Sequence, residues 1–93
     1  MAIKSFACRD TSELFRTGTN RRFGNIAKVA LRKLDYLNAA AALSDLNAPP
    51  GNRLEGLKGD RAGQHSIRIN DQWRICFVWT TAGPENVEIT DYH

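Results

Sequence analysis

The spacing of hydrophobic positions changes near residue 50, and this change divides the chain into two groups of predicted elements. From Arg22 to Leu46, apolar residues recur at the three- and four-residue spacing of an amphipathic helix. Beyond residue 52, apolar and polar residues alternate as they do in half-buried strands. Prolines and a glycine at 48–52 separate the two patterns and end the helical part. The residues at the helical spacing are Ile26, Val29, Ala30, Lys33, Leu34 and Leu37, with Lys33 also counted on the polar side, and Leu43 and Leu46 are predicted to face inward on a shorter helix.

Two shorter elements are predicted in front of the long helical segment. Residues 2–8 alternate weakly, which predicts a short edge strand. Asp10 or Thr11 is the predicted N-cap of a first helix, because both side chains accept hydrogen bonds from free backbone N–H groups. Acidic Glu13 falls in the first turn, and the helix is predicted to end near Gly18.

The second half of the chain predicts a small antiparallel sheet. Asn70-Asp71 is a favoured turn pair and centres a hairpin. Helices followed by strands predict an α+β fold in one domain, 1–93, with two or three N-terminal helices packed on one face of the sheet. The predicted elements are an arm or strand at 53–57, a loop at 58–63, hairpin strands at 64–69 and 73–79, and a last strand after 82–84.

Strand alternation divides the hairpin residues between two faces. Ile67 and Ile75 fall on the face that packs against the helices, together with Val87 and Ile89 of the last strand. Arg68 and Arg74 fall together on the other face, which is predicted to be open. The apolar set of the second hairpin strand also includes Phe77 and Trp79.

Charge indicates the class of partner. The 93 residues include 13 Lys and Arg against 10 Asp and Glu, a net charge of +3. Arginine presents a planar fork that suits phosphate, so nucleic acid is the first candidate partner. On charge alone, a solvated face of ion pairs remains an equal alternative. The clustered arginines are Arg21, Arg22, Arg53, Arg61, Arg68 and Arg74.

Several classes of protein are not favoured by the sequence. Cys8 and Cys76 have no second cysteine at metal-ligand spacing and predict neither a disulfide framework nor a metal site. No segment has the roughly 20 apolar residues of a membrane span, and no signal-like run opens the chain. We therefore expect a cytoplasmic protein with no cofactor and no membrane partner.

Three segments resemble a known family. They read L-K-G-D-R-x-G at 57–63, S-I-R-I-N-D-Q-W-R-I-x-F at 66–77 and D-Y-H at 91–93. With I-K-S-F near the start and the P-P-G-N-R-L-E arm, they resemble the HigB-type toxins of the RelE superfamily, especially the GraT/HigB group. The resemblance implies a RelE-like fold and a type II toxin that cleaves messenger RNA in the A site of the 70S ribosome without a metal. It also implies a HigA-type helix-turn-helix antitoxin, through which the toxin meets operator DNA indirectly.

The resemblance assigns roles to individual residues. It places an essential arginine at Arg74 and a catalytic trio at Asp91, Tyr92 and His93. It also implies basic contacts at Arg68, Lys58 and Arg61. With the arginines selected by charge, the expected RNA and ribosome contacts are Arg21, Arg22, Arg53, Lys58, Arg61 and Arg68.

Metal-free cleavage of RNA has defined chemical needs. The 2′-hydroxyl is the nucleophile, so a base must take its proton and an acid must protonate the leaving 5′ oxygen. Cations must stabilise the charge of the phosphorane, and Arg74 and Arg68 are the predicted stabilisers. Glu55 stands where some HigB toxins have a histidine, which leaves open which group is the base.

Two other functions remain open at this point. One is a RelE-fold module that binds an antitoxin or the ribosome without catalysis, and Glu55 in place of histidine favours it slightly. The other is a poison of DNA gyrase, a function that some RelE-fold proteins have. The retained terminal trio argues against the gyrase function, and with Arg74 it favours the nuclease.

Overall fold

The computed structural model describes residues 2–49 and 51–91, which form a helical layer on a four-stranded antiparallel sheet. The strands lie side by side in chain order. The α+β prediction, with N-terminal helices on one face of a small sheet, is confirmed. The elements are α1 (Arg9–Thr17), α2 (Ala27–Ala39), a 3₁₀ turn (Leu43–Asn47), β1 (Glu55–Gly56), a second 3₁₀ turn (Gly59–Arg61), β2 (His65–Arg68), β3 (Trp73–Thr80) and β4 (Gly83–Asp91).

The core lies between the two layers and uses the residues that periodicity predicted. Burial of each large apolar side chain contributes about 1.5–3 kcal/mol. Among the described residues, neither helix is long and apolar enough to cross a bilayer. Fully buried members of the core are Leu14, Ala30, Leu34, Leu37, Ile67, Ile75, Phe77 and Val87.

The start of α1 differs from the prediction. Cys8 is the N-cap, and neither Asp10 nor Thr11 caps the helix. Their side chains have other partners, because the Asp10 Oδ1 accepts a hydrogen bond from Asn20 at 3.1 Å. The Thr11 hydroxyl accepts the backbone N–H of Ile89 at 2.9 Å. Thr11 therefore fastens α1 to β4 instead of capping the helix.

The long helix predicted from Arg22 is shorter in the structure. Residues 22–26 form turns, in which the N–H of Ile26 donates to the carbonyl of Phe23 at 3.0 Å. Gly24 is a poor helix former, and the turn places Phe23 in the core. The predicted end of α1 is confirmed, since Gly18 adopts a φ of +85° as the C-cap.

Residues 2–8 lie beside β4, with less regular pairing than a strand. A single parallel bridge joins Phe6 and Val87 in the described chain. The N–H of Lys4 donates to the carbonyl of Pro84 at 2.8 Å, and that of Ala7 to the carbonyl of Val87 at 3.0 Å. The position of the predicted edge strand is thus correct, although its extent is one bridge.

The β2–β3 hairpin turns at Asn70-Asp71, as predicted. The side-chain oxygen of Asn70 accepts the backbone N–H groups of Gln72 and Trp73, both at 2.8 Å, and so closes the turn. Arg68 and Arg74 are direct cross-strand partners, as alternation predicted.

A buried asparagine joins the helical layer to the sheet. The Asn52 amide donates to the carbonyl of Leu46 at 3.0 Å, and its side-chain oxygen accepts from the Lys33 ammonium. The Asn52 carbonyl accepts the N–H of Arg68 at 2.6 Å. Asn52 therefore fixes the start of the arm that leads to β1.

Candidate functional site

The predicted site lies on the face of the sheet turned away from the helices. All four strands contribute to this face, but it is less open than predicted. Ser66 and Cys76 on it are both 0% exposed, because the side chains of Arg74 and Arg61 lie across them. The residues that alternation assigns to this face are Glu55, Ser66, Arg68, Arg74, Cys76, Glu88 and Thr90.

Arg74 lies at the centre of this face and is held from two sides. Its Nη1 donates to the Glu55 Oε1 at 2.7 Å and to the Ser66 hydroxyl at 3.0 Å. The Arg74 side chain is 11% exposed, whereas that of Glu55 is 46% exposed. A nearly buried guanidinium is therefore fixed in orientation by a fully buried hydroxyl and a half-exposed carboxylate.

Arg68 and its cross-strand partner Arg74 are paired with different carboxylates. The Arg68 Nη2 donates to the Oδ1 of Asp71, which lies in the hairpin turn and is almost fully exposed. The cationic pair predicted on this face is therefore two separate ion pairs, one with the turn and one with β1. The guanidinium groups of Arg68 and Arg74 are both positive and repel each other. The attraction of each one to its own carboxylate offsets this repulsion and holds the side chain in place.

Arg61 is bound to the sheet. Its Nη1 donates to the Oε1 of Glu88 at 2.8 Å and to the Oε1 of Gln64 at 3.0 Å. The hydrogen bond to Glu88 holds the pKa of the Arg61 guanidinium above its ordinary value. These contacts fasten the loop between β1 and β2 across β3 to β4.

A groove of about 410 Å³ opens beside the Glu55–Arg74 pair. This volume falls within the range of ligand sites, roughly 300–1,000 Å³. Its walls carry one carboxylate, that of Glu55, and two cations, Lys58 and Arg61, of which Lys58 is exposed. The lining residues are Glu55, Gly56, Leu57, Lys58 and Arg61.

The other predicted contacts lie elsewhere. Arg53 is exposed, in the arm before β1, with a φ of +47°. Arg21 is exposed in the turns before α2. Arg22 lies over the Phe23 ring at 5.1 Å and over the Trp73 ring at 5.8 Å, distances typical of cation–π contacts. Arg21 and Arg22 are therefore separate from the groove.

Asp91 is the described member of the predicted trio. It ends β4 opposite Trp73, and its Oδ2 accepts a hydrogen bond from Gln72 at 3.0 Å. Thr90 is the direct partner of Arg74, so alternation places Asp91 on the other face of β4. The structure does not bring Asp91 onto the face that carries Arg74. Tyr92 and His93 lie outside the described residues.

The buried thiol of Cys76 has no reactive character. Burial raises the pKa of the Cys76 thiol, so it stays protonated near neutral pH. Across residues 2–49 and 51–91, no three His, Cys, Asp or Glu side chains are grouped to hold a metal ion. The chemistry of the face therefore depends on guanidinium, carboxylate and hydroxyl groups.

Comparison with known proteins identifies the family to which the chain belongs. The family described as HigB-like toxin, a RelE-like toxin of the type II toxin–antitoxin system HigB, matches residues 4–93. The chain belongs to this family. The resemblance drawn from its motifs is confirmed.

Individual relatives of this HigB-like chain agree with the family. It is 51% identical over 55 residues to Toxin HigB-1 of Vibrio cholerae, covering 59% of this chain and 58% of the relative. That alignment thus spans less than two thirds of the relative. It is 32% identical to Endoribonuclease HigB of Proteus vulgaris, over 98% of this chain and 99% of the relative.

The fold of the HigB-like chain also has a solved counterpart. A chain of the YoeB–YefM complex from Staphylococcus aureus superposes with a TM-score of 0.58 at 18% identity. The match covers 100% of this chain and 99% of the other. It confirms the RelE-like fold.

Sequence reasoning about the HigB-like chain missed the ion-pair partners. It identified Glu55 as unusual without finding its contact with Arg74, and it overlooked Ser66 and Glu88. The available signal was the register of the hairpin, which places Ser66 diagonally from Arg74. The route of the loop that delivers Arg61 to Glu88 has no comparable signal in the sequence.

Proposed function

We propose that this protein is the toxin of a type II toxin–antitoxin pair and a ribosome-dependent endoribonuclease that cleaves messenger RNA in the A site. The observation that carries this proposal is the fixed guanidinium of Arg74 beside the groove. Phosphodiester cleavage needs a preorganised cation where negative charge develops, and such groups commonly account for about 10²–10³ in rate. A relative bearing the name Endoribonuclease HigB supports the same activity.

The proposed reaction is internal transfer at phosphorus. The 2′-oxygen forms a bond to the phosphorus while the bond to the 5′-oxygen breaks, which leaves a 2′,3′-cyclic phosphate and a 5′-hydroxyl. A base takes the 2′ proton, and an acid gives a proton to the 5′ oxygen. Arg74 stabilises the phosphorane, and Arg68 supports the neighbouring backbone. The scheme needs no metal because guanidinium groups meet the added charge.

Proton transfer is assigned to the end of the chain. Asp91, Tyr92 and His93 are the proposed acid and base groups. Asp91 and Arg74 lie on opposite faces of the sheet where β4 ends beside the start of β3, so the phosphate would have to bind at this end of the strands to meet both. The ribosome would hold the strand in line for attack, which supplies the orientation that a small domain lacks.

The exposed cations are proposed to bind RNA and the ribosome through phosphate contacts. Such contacts are sequence-independent and weaken as salt rises. Lys58 and Arg61 both line the groove, which supports this role for them. The proposed binding set is Arg21, Arg22, Arg53, Lys58, Arg61 and Arg68.

A protein antitoxin is the proposed regulator. Membership of a toxin–antitoxin family and the likeness to a chain of the YoeB–YefM complex support such a partner. We assign it to the HigA-type helix-turn-helix class, which would link the toxin indirectly to operator DNA. The 70S ribosome and its messenger RNA are the other proposed partners, and both place the toxin in the cytoplasm.

Primer extension on a message under translation tests the proposal. The wild-type protein should produce cuts only when ribosomes are present. Arg74→Ala should reduce cutting by about 10²–10³-fold, and Arg74→Lys should rescue poorly because a point charge does not replace a planar fork. Asp35→Asn on α2 is the matched surface control. An Arg74→Ala protein that cuts like the wild type would contradict the role of Arg74.

A non-catalytic binding module is the second candidate. The observation that favours it is the ion pair itself, because Glu55 neutralises the cation that catalysis requires. A wild-type protein that binds its antitoxin yet never cuts a translated message would establish this function in place of the nuclease.

A further inference from the structure

The Glu55–Arg74 pair joins a fixed cation to an accessible anion. Arg74 is nearly buried and keeps a second partner in Ser66, a neutral hydroxyl that does not depend on Glu55. Glu55 belongs to β1, a two-residue strand at the sheet edge, and nearly half of its side chain is exposed. The carboxylate can therefore move while the guanidinium stays in place.

Carboxylate and phosphate are equivalent ligands for a guanidinium. Both present anionic oxygens that accept charge-assisted hydrogen bonds at about 2.7–2.9 Å. The Glu55 oxygen lies 2.7 Å from the Arg74 Nη1, which is where a phosphate oxygen would bind. A phosphodiester at Arg74 with Glu55 still in place would bring two negative charges together at one guanidinium, where they would repel each other.

We propose that Glu55 is an internal competitor for the phosphate site of Arg74, and that RNA must displace its carboxylate to bind there. That the natural ligand of this site is RNA rests on the proposed function. The competition makes Glu55 the residue that weakens the binding of free RNA to this face. A ribosome that presents the phosphate at high local concentration overcomes the competition, since an exposed ion pair holds only weakly.

The groove provides a place for the displaced carboxylate. Glu55 and the exposed Lys58 both line it, so the carboxylate can exchange one cation for another without crossing the sheet. The β1–β2 pairing opposite Ser66 can persist during this exchange, because it uses backbone groups and not the Glu55 side chain. The Glu55 side chain would therefore exchange Arg74 for Lys58 while β1 stays paired with β2.

Binding of inorganic phosphate tests the inference without RNA cleavage. The probe is titrated into the 93-residue protein and binding is followed by isothermal titration calorimetry, with the ¹⁵N shift of the Arg74 Nε as a second readout in the variants that keep Arg74. Glu55→Gln should tighten phosphate binding by about three- to fivefold, the ratio that corresponds to loss of an exposed ion pair. Asp35→Asn removes the same charge from an exposed position on α2 and should leave binding unchanged. In an Arg74→Lys background, the gain from Glu55→Gln should disappear.

The outcomes separate this inference from the proposed function. Unchanged or weaker phosphate binding by Glu55→Gln, with Glu55→Ala as a second variant if the first misfolds, would overturn the competitor role. Tighter binding by Glu55→Gln in a protein that never cuts message would support the competitor and overturn the nuclease. Cleavage of message by the wild type, together with phosphate binding that Glu55→Gln leaves unchanged, would support the nuclease and overturn the competitor role.

Discussion

Arg74 donates a hydrogen bond to the hydroxyl of Ser66, its diagonal neighbour on β2, whose direct cross-strand partner is Cys76. The diagonal contact turns the guanidinium toward β1, where Glu55 meets it. Arg68 turns the opposite way, toward Asp71. Two arginines in register are thus separated by the partners that each one finds.

Ser66→Ala tests the diagonal contact. Loss of the hydroxyl leaves Arg74 without its contact to β2, although the ion pair with Glu55 of β1 is kept, so cleavage on ribosomes should fall about five- to tenfold. The free energy of unfolding should fall by only about 0.5–1.5 kcal/mol, as for one buried hydrogen bond. Primer extension and urea unfolding measure the two effects. Ser44→Ala, in the exposed 3₁₀ turn, is the control. Full cleavage by Ser66→Ala would remove the hydroxyl from the mechanism.

Arg61 and Glu88 should be coupled in stability as well as in function. Their pair is partly exposed, so a double-mutant cycle with Arg61→Met and Glu88→Gln should give a coupling of about 0.5–1 kcal/mol. Arg53→Met, which removes an exposed cation from the arm, should leave stability within about 0.5 kcal/mol of the wild type. A coupling near zero would mean that Arg61 acts only on ligands.

Lys33 predicts a pH dependence of stability. Burial, aided by the charges of Arg32 and Arg68, lowers the pKa of the Lys33 ammonium from 10.5. The unfolded chain then binds this proton more strongly than the folded one, so the cost of burying the charge is present at neutral pH. That cost is relieved as pH rises through the lowered folded value toward 10.5.

Lys33→Met should remove this relief. The wild type should gain stability relative to Lys33→Met as pH rises from neutral toward alkaline values, as measured by urea unfolding. The unpaired Asn52 oxygen of the variant adds an offset that does not vary with pH. Lys28→Met, on an exposed position of α2, is the control and should show a constant difference from the wild type. A flat difference for Lys33→Met would contradict the lowered pKa.

Removal of Tyr92 and His93 should damage activity more than stability. The fully buried residues of β4 lie earlier, at Val87 and Ile89, so the core should remain. Cleavage on ribosomes should fall at least about 100-fold if these residues transfer protons. Melting temperature and primer extension should be compared for native, N-terminally tagged and truncated proteins. Equal cleavage by all three would leave catalysis to the arginine face.

The parts of the fold that the sequence predicted correctly are those determined by residues close together in the chain. Alternation and the Asn70 turn determine the hairpin register, and the 3.6-residue period locates α2. The predicted N-cap of α1 was wrong because the Thr11 hydroxyl accepts a hydrogen bond from Ile89 of β4, which is 78 residues away in sequence. The early start of α2 was wrong because Phe23 gains more from the core than from helical hydrogen bonds.

The candidate site was predictable in residue type but not in pairing. The fork chemistry of arginine and the family motifs identify Arg74 and Arg68. The carboxylates that meet them come from β1 and from the hairpin turn, and the partner of Arg61 comes from β4. The contact between Arg61 and Glu88 depends on the path of an irregular loop, for which neither periodicity nor propensity offers a rule.

Arg61, Arg68 and Arg74 are each paired with a carboxylate of the same chain, and this pairing affects how the proposed toxin would meet RNA. A cation beside its own carboxylate is nearly a dipole, and its field fades within a few ångströms in salt. Long-range attraction must then come from exposed cations, among them Arg21, Arg53 and Lys58. Raising the ionic strength should therefore slow the encounter while leaving the chemical step, once the strand is seated, largely unchanged.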